Sequence, residues 1–172
     1  MSAKPKRYFL STKESRELID SLLEKHPELA PLFPKRKESL QAIEYKTGKG
    51  PERVLLLSGK AVLVQKATGE VIPFIGAVRT EGLKLKSVVV DSGAVKFILN
   101  GADVMGPGIV EADEDIEEGD LVVVLEERYR APVAVGIALR PSAEIKERGK
   151  SVKNLHHAAD RATTLIRELS RA

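Results

Sequence analysis

The residues that could do chemistry in this chain are glycines, aspartates and a lysine gathered between positions 91 and 108. Asp91-Ser92-Gly93-Ala94 opens the stretch, Lys96 follows, Gly101-Ala102 comes next, and Met105-Gly106-Pro107-Gly108 closes it. Small residues leave backbone N–H and C=O groups open to a neighbour, and glycine permits close backbone approach. Asp91 or Ser92 would cap a helix, and a helix N-terminus attracts anions. The chemistry this implies is noncovalent: a groove of exposed backbone, with Lys96 beside it, can hold a ribose-phosphate. Lys96 is the only base between Ser87 and Glu127, and Asp91 and Asp103 oppose phosphate, so further positive charge must come from elsewhere. Arg128, Arg130, Lys146, Arg148, Lys150 and Lys153 are the supply, and Tyr129 between two arginines is placed to stack on a base. A bulky residue at Gly106 is expected to block such a groove while the protein stays folded.

Other chemistries find no matching residues. Gly101 and Gly106 have the spacing of a phosphate-binding loop, but Pro107 stands where its lysine would be. Gly48-x-Gly50 and Gly106-x-Gly108 lack the third glycine and the βαβ setting of a dinucleotide site. Cysteine is absent, which removes disulfides, thiolate metal sites and thiol nucleophiles. The acidic run from Glu111 to Asp120 has no EF-hand spacing and reads as a solvated turn. His156-His157 has no metal-binding partner motif, and a structural hydrogen bond to Asp160 is its expected role. No Gly-x-Ser-x-Gly elbow is present. Catalytic residues, metal ligands and cofactors are therefore not expected.

The elements that must position these residues fall into two halves. Ser11-Thr12-Lys13-Glu14 fits a capping box, and Leu18, Ile19, Leu22 and Leu23 make the apolar stripe of the helix it opens, which ends at His26-Pro27. A single turn is expected between Pro31 and Pro34. Strands follow at Leu40–Lys46, Val54–Leu57 and Ala61–Gln65, turning at Ser58-Gly59 and Thr68-Gly69, with a short helix over Pro73–Val78. Gly82–Lys86 is the linker, placing domains at 1–86 and 87–172. The second half has strands near 87–90, 109–111, 121–126 and 132–139 and a helix across 91–99, and six short strands and one helix would close a small mixed barrel. After Pro141 the chain reads as irregular until helical spacing resumes over Ala158–Leu169. The fold class is α+β.

Charge is segregated along the chain. Residues 1–86 hold 17 Lys and Arg against 10 Asp and Glu, and residues 87–172 hold 11 against 15. Within the second half, Glu111 to Glu127 contains nine acids, whereas Arg128 to Lys153 contains seven bases and two acids. Such separation permits a one-sided positive field suited to phosphate. No apolar run reaches the roughly 20 residues of a membrane-spanning helix, and no signal-peptide core follows the basic start. A cytoplasmic monomer is the default.

The stretch from Val88 to Ile109, with Gly119-Asp120 before Leu121-Val122-Val123-Val124 and with Gly136 inside Val133–Ala138, resembles a PUA domain, the small RNA-binding pseudo-barrel. The resemblance covers roughly residues 87–162. Asp91–Phe97, Pro141-Ser142-Ala143-Glu144-Ile145 and Gly149–Asp160 make the whole chain similar to archaeal relatives of the malignant T-cell-amplified sequence protein and ligatin. That resemblance implies an N-terminal α/β pre-PUA domain, a PUA domain, and a role in translation. It implies binding of tRNA or small-subunit rRNA, and as partners the small ribosomal subunit and a translation factor. The groove residues it suggests are Gly93, Ala94, Lys96, Gly101, Ala102, Met105, Gly106, Pro107 and Gly108, with Arg128, Arg130, Lys150 and Lys153 for phosphate contacts. Two other roles remain: an RNA-modification enzyme or accessory subunit that delivers substrate RNA, and a protein-interaction adaptor.

Overall fold

The computed structural model describes residues 4–35 and 38–171. The chain forms two compact units, Met1–Lys84 and Leu85–Ala172. No helix among the described residues is long and apolar enough to cross a membrane.

The first unit is one antiparallel sheet in chain order: β1 (Lys6–Phe9), β2 (Gln41–Thr47), β3 (Gly50–Leu57), β4 (Lys60–Gln65) and β5 (Val71–Pro73). Helix α1 (Thr12–Lys25) buries Ile19 and Leu22. Its cap is half of the expected box. Ser11 Oγ accepts from Glu14 N at 3.0 Å, while the Glu14 carboxylate lies 3.6 Å from the Arg53 guanidinium. The turn expected between Pro31 and Pro34 lies earlier, as a 3-10 helix over Pro27–Leu32 that starts on its proline. The helix expected over Pro73–Val78 shrinks to a 3-10 turn at Ile75–Ala77, because Pro73 is taken into β5 against Leu63.

The second unit is a mixed sheet that curls into a half-barrel, with strand order β7-β11-β10-β9-β6-β8. Its strands are β6 (Lys86–Val90), β7 (Val104–Met105), β8 (Ile109–Ala112), β9 (Leu121–Glu126), β10 (Pro132–Ala138) and β11 (Lys150–His157). Among the described residues, only the β6–β9 pairing is parallel, with Val88 opposite Val124. Helix α2 (Ser92–Leu99) follows β6 and helix α3 (Arg161–Ser170) closes the unit. Val88, Val90, Ile98, Val104, Ile109, Val122, Val124 and Val152 form its core.

Strand β11 corrects the expectation of an irregular segment after Pro141. Its buried positions include Ser151 and His156, so no apolar alternation marks it. The two fully buried polar side chains are both paired: Ser151 Oγ donates to the Ile145 carbonyl, and His156 Nδ1 lies 2.6 Å from Asp160 Oδ2. Asp160 also caps α3, accepting from Thr163 N at 2.9 Å, and accepts from His157 N. Burial alone would raise the Asp160 carboxyl. The hydrogen bond and charge of His156 and the two backbone N–H groups outweigh burial and hold it well below the usual carboxylate range.

Candidate nucleic-acid interface

Helix α2 presents Gly93, Ala94, Phe97 and Ile98 on one stripe, and Gly101, two residues beyond its end, continues the stripe. Opposite them run Met105, Pro107 and Gly108, and Asp91, Ala102, Asp103 and Lys150 complete the rim of a cleft of about 750 Å³. The floor is Ile98, which is buried. The walls include Phe97 at 57 % exposure and Met105 at 47 %.

Hydrogen bonds to the backbone fix both sides. Asp91 N donates to the Gly108 carbonyl at 2.9 Å, tying the helix start to the facing loop. Asp91 Oδ1 then accepts from Ala94 N at 2.8 Å as the N-cap. At the other end, Asn154 Nδ2 donates to the carbonyls of Ile98 and Ala102 at 3.0 and 2.9 Å. Asp103 Oδ1 accepts from Asn154 N at 2.9 Å, and its second oxygen lies 3.2 Å from Lys150 Nζ. Gly101 adopts φ +94°, the left-handed geometry that turns the chain out of α2.

Eight residues named from the sequence line this cleft: Gly93, Ala94, Gly101, Ala102, Met105, Pro107, Gly108 and Lys150. The others lie elsewhere. Lys96 is exposed on α2, with Nζ 5.1 Å from the centre of the Phe97 ring. Lys153 is exposed on β11. Arg128 and Arg130 sit at the tip of the β9–β10 hairpin, where Arg130 has φ +57° and pairs with Glu111 at 2.7 Å.

Gly106 is a correction. It is buried behind the cleft wall, its N–H donates to the Gly149 carbonyl at 2.9 Å, and a Cβ there would fall 1.7 Å from the Glu147 carbonyl oxygen. Bulk at this position breaks the packing of residues 146–149 before it reaches the cleft, so it does not test the groove on a folded protein.

The anion expected at the start of α2 meets a second correction. Ser92 N and Ser92 Oγ both donate to Glu127 Oε1 at 3.1 Å, so Asp91 and Glu127 already supply that helix terminus with two carboxylates. Several other bases are engaged within the fold. Lys146 Nζ donates to the Val110 carbonyl, and the Arg140 guanidinium clasps the carbonyls of Glu144, Glu147 and Arg148. Lys86 pairs with Asp120 at 2.7 Å, a contact that raises its pKa.

Phe97, Ile98, Asp91 and Asp103 were not among the groove residues named from sequence. The signal for two of them was present: the doublets Gly93-Ala94, Phe97-Ile98 and Gly101-Ala102 recur every four residues, the period of one helical face.

Residues 86–158 match the PUA domain family. The chain is 33 % identical to translation machinery-associated protein 20 of Schizosaccharomyces pombe, over 80 % of this chain and 77 % of that protein. The chain belongs to the translation machinery-associated protein 20 family. The malignant T-cell-amplified sequence proteins are homologues of the same group. An uncharacterized protein of Methanocaldococcus jannaschii is 39 % identical over 91 % of this chain and 94 % of its own length. The crystal structure of a hypothetical protein from Pyrococcus horikoshii superposes with a TM-score of 0.73 at 37 % identity, covering 93 % of this chain and 99 % of that one. PUA domains bind RNA. In this member of the translation machinery-associated protein 20 family, every residue lining the cleft lies inside the PUA match.

Proposed function

We propose that this chain is a non-catalytic RNA-binding protein of the translation apparatus that holds tRNA or small-subunit rRNA in the PUA cleft. The observation that carries this reading is the cleft itself: an open groove of about 750 Å³ inside the PUA match, walled by backbone, small residues, Phe97 and Met105. Lys96, Lys153 and Arg128 outside the cleft supply the phosphate contacts, whereas Lys150 at the rim and Arg130 must first exchange their partners Asp103 and Glu111. The N-terminal unit is the pre-PUA companion domain, and its basic balance suits rRNA or a protein partner. The site of action is the small ribosomal subunit in the cytoplasm, with a translation factor as partner and the chain itself a monomer.

Crosslinking in cells followed by sequencing of the bound RNA tests this. Enrichment of tRNA or small-subunit rRNA is expected. Recovery of no RNA above background refutes it in favour of a protein-interaction adaptor, a reading the nine acids between Glu111 and Glu127 favour. Bulk tRNA incubated with the protein and digested to nucleosides is expected to show no new modification, and a new modified base would make the chain an enzyme or a subunit of one.

A further inference from the structure

The first unit holds a charged group that lies apart from the PUA cleft. The Arg53 side chain on β3 is only 17 % exposed, yet no carboxylate sits close against it: Glu14 on α1, itself 52 % exposed, lies 3.6 Å from Nη1. Buried charges are ordinarily paired closely. The other contacts of Arg53 are neutral oxygens. Nε donates to Gln65 Oε1 at 2.8 Å, and Nη1 donates to the Tyr8 hydroxyl at 3.3 Å. Glu44, the cross-strand neighbour of Arg53, accepts from that same hydroxyl at 2.9 Å and makes no ion pair with Arg53 among the described residues. Nη2 has no partner among the described residues. A guanidinium only donates, so Gln65 must turn its amide oxygen toward it, and the amide NH₂ beside it also has no partner among the described residues.

Both groups line a cleft of about 410 Å³ between α1 and the sheet. Two donors, one of them charged, face it side by side, and an acceptor with two oxygens and a negative charge satisfies both. Leu18 and Leu22 of α1 and Val71 of β5 make part of the wall apolar. Glu14, Glu17 and Glu70 line it as well, so a second negative charge on a ligand would be repelled. Lys25 is three turns along α1 from Glu14, about 16 Å, too far to share one carboxylate with Arg53.

We propose that the first unit carries a binding site for a small aliphatic monocarboxylate. Arg53 Nη2 and Gln65 Nε2 hold the carboxylate, and the aliphatic body lies against Leu18, Leu22 and Val71. The site is independent of the RNA-binding reading above and stands whether or not the PUA cleft takes RNA.

The test is a heteronuclear NMR titration of the full isotope-labelled chain with isovalerate at constant ionic strength, with chloride in its place as the control. Isovalerate should shift the Arg53 Nε–H and Gln65 side-chain NH₂ resonances with a Kd of about 1–10 mM. Isovaleramide has the same shape without the charge and should bind about tenfold more weakly, the scale of one hydrogen bond to a charged group. Gln65→Glu keeps an oxygen on Arg53 Nε but replaces the unengaged amide donor with an acceptor and brings a carboxylate of its own, so binding should be lost on a folded chain. Arg53→Gln removes the charged donor and should lose binding too; Gln65→Glu decides the matter where loss of Arg53 unfolds the unit. No shift at either side chain at concentrations well above that range, equal affinity for isovaleramide, or unaltered binding in Gln65→Glu would overturn the site.

Discussion

Replacing Gly106 with alanine separates the residues that build the PUA cleft from those that line it. The added Cβ would lie 1.7 Å from Glu147 O, 2.8 Å from Glu147 C and 2.9 Å from Lys146 C, all of them backbone atoms. Ordinary contact needs about 3.5 Å, so residues 146–149 would have to retreat by roughly 2 Å. That retreat breaks the Gly106 N–Gly149 O bond, pulls at the Arg140 clasp on the same loop, and disturbs the pairing of Met105 with Lys150. Overpacking costs about 1–3 kcal/mol and the lost hydrogen bond about 0.5–1.5, giving roughly 2–4 kcal/mol. With an m-value of about 2 kcal/mol/M, the urea midpoint of the second unit should fall by roughly 1–2 M. The control is Gly93→Ala, whose Cβ would meet only Asp91 Oδ1 at 3.4 Å. In a helix that change should be neutral or stabilise by up to about 1 kcal/mol. A Gly106→Ala midpoint equal to wild type, or equal losses in the two variants, would refute the assignment of Gly106 to the fold.

Three other outcomes are expected. Phe97→Ala should weaken single-stranded RNA binding by about 1–3 kcal/mol through lost stacking, while stability stays within about 0.5 kcal/mol because the ring is 57 % exposed; thermal melts and anisotropy together check this. The dependence of log affinity on log salt should be shallow, with a slope of about −1.5 to −3 for two to four phosphates, because Arg130, Lys146 and Arg140 are engaged within the fold. Asp160→Ala should cost about 2–4 kcal/mol near neutral pH, from the lost cap on α3 and the lost partner of buried His156. Because the folded-state carboxyl is held below its unfolded value, its contribution is complete above the ordinary carboxylate pKa of about 4 and is lost only as pH falls through the depressed value. Urea titrations of wild type and variant should therefore show a gap that persists down to about pH 4 and closes only in stronger acid; a gap that closes between about pH 6 and 5 would refute this account of the site.

The sequence showed most clearly what a repeating local signal encodes. The β-branched runs at Val88–Val90 and Leu121–Val124, the cap at Asp91 and the left-handed turn at Gly101 all have one-dimensional signatures, and the structure contains each of them. Strand β11 has no such signature. Its place between β7 and β10 depends on the buried Ser151 finding the Ile145 carbonyl and His156 finding Asp160, pairings that exist only once the chain is folded. β1 escaped for another reason: it is four residues long at a sheet edge, and its exposure does not alternate. For the cleft, the glycine-alanine pairs were legible because small residues stand out, whereas Phe97 resembles core until the structure shows it exposed. Gly106 illustrates the converse limit, since its neighbours are backbone atoms 40 residues further on that no local pattern names.

A chain with a sequence pI near 9.1 invites the expectation of a cationic RNA groove, but the charges are arranged otherwise. The acids between Glu111 and Glu127 are not idle in the fold. Glu111 holds Arg130, Asp120 holds Lys86, Glu127 takes Ser92, and Glu126 accepts backbone N–H groups from Arg128, Tyr129 and Ala131. Burial of Glu126 would raise its pKa, yet those three donors hold it below the usual range, so the hairpin tip is ordered around a carboxylate. Much of the basic surplus of residues 128–153 is consumed in the same way, by the 140–149 loop and the Lys150–Asp103 pair. What remains at the cleft is shape, an aromatic ring, backbone edges and one unengaged carboxylate oxygen. A site of that kind selects by fit and hydrogen bonding, and diffuse attraction for polyanions falls to whatever positive charge lies outside it.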